Sequence, residues 1–90
     1  MAIHITRPHT KSHEEARKLA EHVATQMQTE FGMSWAWEAD VLQFQRSGVT
    51  GSLTVLPNEI VVQVKLGFLL SAIEPKITSE IHKFLDAEFA

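Results

Sequence analysis

Histidine is the first side chain to weigh for chemistry in this 90-residue chain. His4, His9, His13, His22 and His82 are present, and there is no cysteine. A zinc site would therefore need three or four histidine and carboxylate ligands. His9 and His13 are four apart, a spacing that on one helix would turn both imidazoles to one face. Pro8 and Ser12 interrupt that arrangement, so the pair straddles a loop and a helix start and is expected as solvated loop histidines with no metal. His4 alternates away from Ile3 and Ile5 and belongs on a polar strand face, while His22 and His82 stand singly on helices. A Ser-His-Asp set could be assembled from Ser47, His9 and Asp40, but no G-x-S-x-G elbow or other nucleophile motif supports it. Gly48 and Gly51 surround a turn without a following helix. They read as positive-φ hairpin glycines rather than a phosphate loop. The residues thus give no catalytic set, no metal site and no cofactor site, and an enzyme using His9, Arg46 or Glu38 is the least favoured reading.

The candidates for binding are different. Arg46 ends a strand on the side of Leu42 and Phe44, where a cation at the rim of an apolar face could hold a carboxylate. The competing and favoured reading is a salt bridge or a side chain covering apolar surface. Trp35 and Trp37 share a strand face and could stack a ligand, although large aromatics more often fill a small core. Phe68, Leu69 and Leu70 form an apolar run between sheet and helix with no clear period. Exposed, the run would mark contact with a partner, lipid or polymer surface; buried, the favoured expectation, it plugs the end of the core.

Composition narrows the class. The net charge is −3 and 44% of residues are hydrophobic, which fits one globular domain over residues 1–90 rather than a disordered chain. Lysines and arginines are scattered, with no basic stripe for a phosphate backbone or an anionic membrane. The absence of cysteine, of a signal-peptide pattern in MAIHITRPH and of an apolar run of about 20 residues gives the expectation of a cytoplasmic protein without a membrane span.

The elements that would position these residues follow from periodicity. Residues 3–7 alternate as a strand ended by Pro8. Ser12 with Glu15 opens a helix to Phe31, with Ala16, Leu19, Ala20, Val23, Met27 and Phe31 as its stripe and Gly32 as its stop. From Ser34 the period becomes two. Trp35 and Trp37 share a face, Leu42 and Phe44 point one way against Gln43 and Gln45, and Leu53 and Val55, and Ile60, Val62, Val64 and Leu66, point inward. Turns are expected at Ala39-Asp40, Ser47–Gly51 and Pro57-Asn58. A last helix starts between Ser71 and Glu74, where a Ser71–Glu74 capping pattern competes with Pro75, and carries Ile73, Ile77, Ile81, Leu85 and Phe89. The prediction is an α+β domain of order β-α-β-β-β-β-α, an antiparallel sheet with both amphipathic helices on one face. Open sheet edges, and Val61 on the otherwise polar face, make a homodimer plausible.

The ordered residues resemble the polyhydroxyalkanoic acid system proteins, small bacterial proteins also called polyhydroxyalkanoate granule-region proteins. The similar segments are IHITRPH at 3–9, EEARKLAEHVA at 14–24, W-x-W-E at 35–38, LQFQRSGVTGSLTV at 42–55 and VKLGFLLSAIEPKI at 64–77. The resemblance spans nearly the whole chain and is most specific in FxRSGVxGxLxV and LGFLLS. It implies an accessory role around storage granules, with the granule or its proteins as partners, and carries over no catalytic residue. Beside this reading stands a carrier of small hydrophobic ligands, with a slot between sheet and helix lined by Trp37, Phe44, Val62 and Ile81.

Overall fold

In a computed structural model, which describes residues 2–89, five strands form one antiparallel sheet of order β1-β5-β4-β3-β2. The strands are β1 (Ala2–Pro8), β2 (Ser34–Glu38), β3 (Val41–Arg46), β4 (Val49–Val55) and β5 (Glu59–Leu66). The first lies at an edge and pairs only with the last, which is why Pro8 can sit inside it, opposite Glu59, rather than beyond its end. Helix α1 (His13–Phe31) joins β1 to β2, and α2 (Glu74–Phe89) follows β5 through a 3-10 turn, Phe68–Ile73. This is the predicted α+β order.

Local chemistry explains the boundaries of α1. Ser12 is its N-cap, with Oγ accepting from the Glu15 N–H at 3.1 Å. Gly32 ends it at φ 69°, donating its N–H to the Gln28 carbonyl, a conformation that costs a residue with a Cβ. The capping pattern expected at Ser71 is not realised. The Ser71 hydroxyl donates back to the Phe68 carbonyl, because the chain is already coiled in the 3-10 turn, and α2 opens three residues later at Glu74 with Pro75 in its first turn.

Alternation sorts the sheet cleanly. Ile3 and Ile5, Leu42 and Phe44, Val49, Leu53 and Val55, and Ile60 through Leu66 at every second residue are buried in one core with Ala16, Ala20, Val23 and Met27 of α1 and Ile77, Ile81, Leu85 and Phe89 of α2; Leu19 and Phe31 are partly buried against it, while Ile73, expected in the last stripe, lies in the 3-10 turn and is exposed. Gly51 belongs to β4 rather than to the preceding turn, which is Ser47-Gly48. It pairs with Phe44 on β3 and Val64 on β5. A Cβ there would lie 2.3 Å from the Phe44 ring, so the glycine lets that ring lie flat on the sheet. Gly48, at φ 82°, is the one hairpin glycine that fits the positive-φ expectation. The opposite face of the sheet is uncovered. Its registers run His4–Gln63–Ser52–Gln43–Ala36, flanked by Thr6–Val61–Thr54–Val41–Glu38 and Ala2–Lys65–Thr50–Gln45–Ser34.

Candidate functional site

The two ends of the sheet differ in kind. At one end, polar groups from distant segments lock together. His9 is buried; its Nδ1 accepts the Lys11 backbone N–H at 3.0 Å, which leaves Nε2 to carry the proton and donate to the Leu56 carbonyl at 2.9 Å. The ring also rests against Phe89, and the His9 N–H donates to the Asn58 carbonyl. The expectation of a solvated His9 is therefore overturned: the loop between β4 and β5, 47 residues away, supplies its cover. His13 is exposed and pairs instead with Asp40 Oδ1 at 2.8 Å, a carboxylate shared with Arg17 at 3.2 Å. Thus Asp40 meets His13 while His9 is bonded to backbone groups elsewhere at the same end, and Ser47 lies in a turn at the other end. Among the described residues no group of three histidines or carboxylates could hold a metal.

The tryptophans belong with this scaffold. Trp37 donates its Nε1–H to Glu21 Oε2, and the Arg17 guanidinium stacks on its ring at 3.9 Å from the centroid. It is held between strand and helix, as a cation–π and hydrogen-bonded pair. Trp35 is half-buried against the core. The residues expected to line a ligand slot, Phe44, Val62 and Ile81, are filled into the continuous core, which lends the carrier reading no support. Arg46 forms no salt bridge among the described residues; it donates to the Phe31 carbonyl at 2.8 Å, closing one of the orphan carbonyls at the C-terminus of α1.

At that same end the chain leaves β5. The Gly67 N–H donates to the Gly48 carbonyl at 2.8 Å, and the Leu70 N–H donates to the Gly67 carbonyl. Leu70 folds inward over Gly48, where a Cβ would lie 2.8 Å from its Cδ1. With three residues per turn, Leu70 and Ile73 share one side of the 3-10 coil and the two residues before Leu70 point elsewhere. Phe68 and Leu69 accordingly stand 90% exposed, and Ile73 is 40% exposed. The expected plug is thus half right: Leu70 plugs, and Phe68 and Leu69 project. Hydrophobicity alone gave no means to separate them; the threefold period of the turn does.

A third feature lies on the uncovered sheet face. Two shallow hollows, about 490 and 300 Å³, share Thr50 and Gly51 and together reach from β1 to β2. Their polar lining comes from Thr50, Ser52, Gln63, Gln43 and Gln45, with Lys65 and His4 toward β1 and Ser34 on β2.

With this geometry in view, comparison of sequences is informative. A family model described as "Putative polyhydroxyalkanoic acid system protein" matches residues 3–89. The chain belongs to that family. No curated protein matches it. The polyhydroxyalkanoic acid system match runs through every element described, from β1 to the end of α2, and includes both the projecting pair and the uncovered sheet face. No helix of the described residues is long and apolar enough to cross a membrane.

Proposed function

We propose that the protein is a non-catalytic accessory protein of polyhydroxyalkanoate metabolism that attaches to the granule surface through Phe68 and Leu69. The family description supplies the system; the 90% exposure of two adjacent large apolar side chains carries the mode of contact. An exposed apolar patch of this size is often a functional contact. Full burial of each side chain contributes ~1.5–3 kcal/mol, so the pair supplies ~3–6 kcal/mol before the costs of association. That suits reversible adsorption, as with a single short lipid anchor. The pair offers on the order of 300–400 Å², well below the ~800 Å² per partner of a stable protein interface, which favours an apolar polymer or surfactant layer over a protein groove. On this reading the protein works in the cytoplasm, partly on granules.

Isolated granules and purified protein test the proposal. The wild type co-sediments with granules, and Phe68→Ser combined with Leu69→Ser abolishes co-sedimentation while leaving the circular dichroism spectrum and Tm unchanged. Equal sedimentation of the two proteins refutes attachment through this pair.

A further inference from the structure

We propose that the hollowed outer face of the sheet is a binding site for a short, uncharged oligoester. The identity of the ester as a hydroxyalkanoate rests on the granule reading above; the chemical class rests on the face itself. Eleven of the chain's residues are acidic, yet among the described residues no carboxylate lines either hollow; Glu38, in the flanking row, is taken up by the Gln43 amide, which donates to it at 3.3 Å. What lines them is a set of donors: the Gln45 and Gln63 amides, the Thr50 and Ser52 hydroxyls and the Lys65 ammonium. Amides and hydroxyls can also accept, but a site for a donor-rich ligand such as a sugar would be expected to include acceptor-only carboxylates. One lysine and no arginine is too little positive charge for a phosphate or polyanion. Trp35 and Phe44 border one hollow, but Trp35 packs on the core and the Phe44 ring is buried in it, so among the described residues neither ring lies open as a platform for a nucleobase or a sugar ring.

The ligand this excludes least is one that is neutral, flexible and rich in acceptors alone, and an ester chain has only acceptor oxygens. The donors are also suitably spaced. Gln45, Thr50 and Lys65 are register partners on β3, β4 and β5, so they recur at about 4.8 Å across the sheet. Gln63 lies one register over. A chain lying across the strands meets a new donor at each strand, a step comparable to one hydroxyacid unit. Thr50, shared by both hollows, lies at the middle of that path.

The test uses the full chain and a trimer of 3-hydroxybutyrate capped as an uncharged ester, titrated into ¹⁵N-labelled protein. Saturable amide shifts are expected on β3, β4 and β5, centred on Thr50. Gln45→Glu with Gln63→Glu keeps side-chain shape but replaces two donors by acceptor anions, and should weaken trimer binding roughly ten-fold or more. Phe68→Ser with Leu69→Ser should leave trimer binding intact, so loss of granule sedimentation and loss of trimer binding are separable results. Absence of saturable shifts, equal binding by the double Glu variant, equal shifts with cellotriose, or a concentration-dependent dimer that buries this face would each overturn the proposal.

Discussion

Replacing Gly51 by alanine is the sharpest probe of how this core is built. The added Cβ would lie 2.3 and 2.5 Å from two atoms of the Phe44 ring and 2.9 Å from the Gln63 carbonyl oxygen. Carbon atoms rest comfortably at ~3.5–4.0 Å, so the ring must move by about 1 Å. It has nowhere to go: Phe44 is 2% exposed and embedded in the continuous core, and the Gln63 oxygen is part of the backbone. Overpacking of this kind costs ~1–3 kcal/mol, offset by ~0.4–1 kcal/mol because alanine restricts the unfolded chain. The expected net loss is ~1–2 kcal/mol, a fall in Tm of roughly 4–16 °C for a domain of this size. Urea unfolding followed by the fluorescence of Trp35 and Trp37 measures it, with the m-value unchanged. Phe44→Leu removes the ring and leaves a cavity, so it also destabilises. Combined with Gly51→Ala it should cost less than the two single losses added together, by ~0.5 kcal/mol or more. A wild-type midpoint for Gly51→Ala, or strict additivity in the pair, refutes the claim that this glycine exists to seat the ring.

The other expected outcomes are simpler. Ser12→Ala removes the acceptor for the Glu15 N–H and should lower unfolding free energy by ~1 kcal/mol in the same urea assay. Gly32→Ala forces a Cβ into the left-handed region at φ 69° and should cost ~1–2 kcal/mol although the space around it is open. His9→Ala strands the Lys11 N–H and the Leu56 carbonyl and should cost ~1–3 kcal/mol; hydrogen exchange should show the loss as faster exchange of the Lys11 amide. Ile81→Ala, at a position fully buried in α2, should cost ~2–5 kcal/mol by calorimetry.

These residues also mark what periodicity can and cannot reveal. Helix α1 was legible throughout, because its cap, stripe and stop are all short-range signals, and the inward parity of Leu42, Phe44, Leu53, Val62 and Val64 follows from a period of two. The place of Gly51 in β4 is not legible, because a glycine carries no side chain to register in an alternation; its cross-strand partner Phe44 assigns it. The burial of His9 is not legible locally, because its cover comes from Leu56 and Asn58 and no local pattern encodes a partner 47 residues away. For Arg46 the residue types suggest a salt bridge or a side chain covering apolar surface, and they do not reveal the Phe31 carbonyl it meets, a contact set by where α1 ends against the sheet. For Phe68 and Leu69 the failure is of another kind. Burial was the better expectation on hydrophobicity, and a short 3-10 coil is too brief for its threefold period to stand out in the sequence.

That last failure carries the functional argument. The end of the sheet near His9 is closed by hydrogen bonds among the β1–α1 loop, the β2–β3 turn and the β4–β5 turn. The opposite end is closed as well, by the Gly67–Gly48 backbone bond, the inward Leu70 and the Arg46–Phe31 contact. Closing that end therefore does not require Phe68 or Leu69, which are 90% exposed and contribute almost no buried area to the fold. In water a bare Phe-Leu pair adds only a tendency to associate, so serine at both positions should fold as well and dissolve better. A pair that the fold does not need and water does not favour is free to serve the granule attachment proposed above, and the serine variant separates that role from folding.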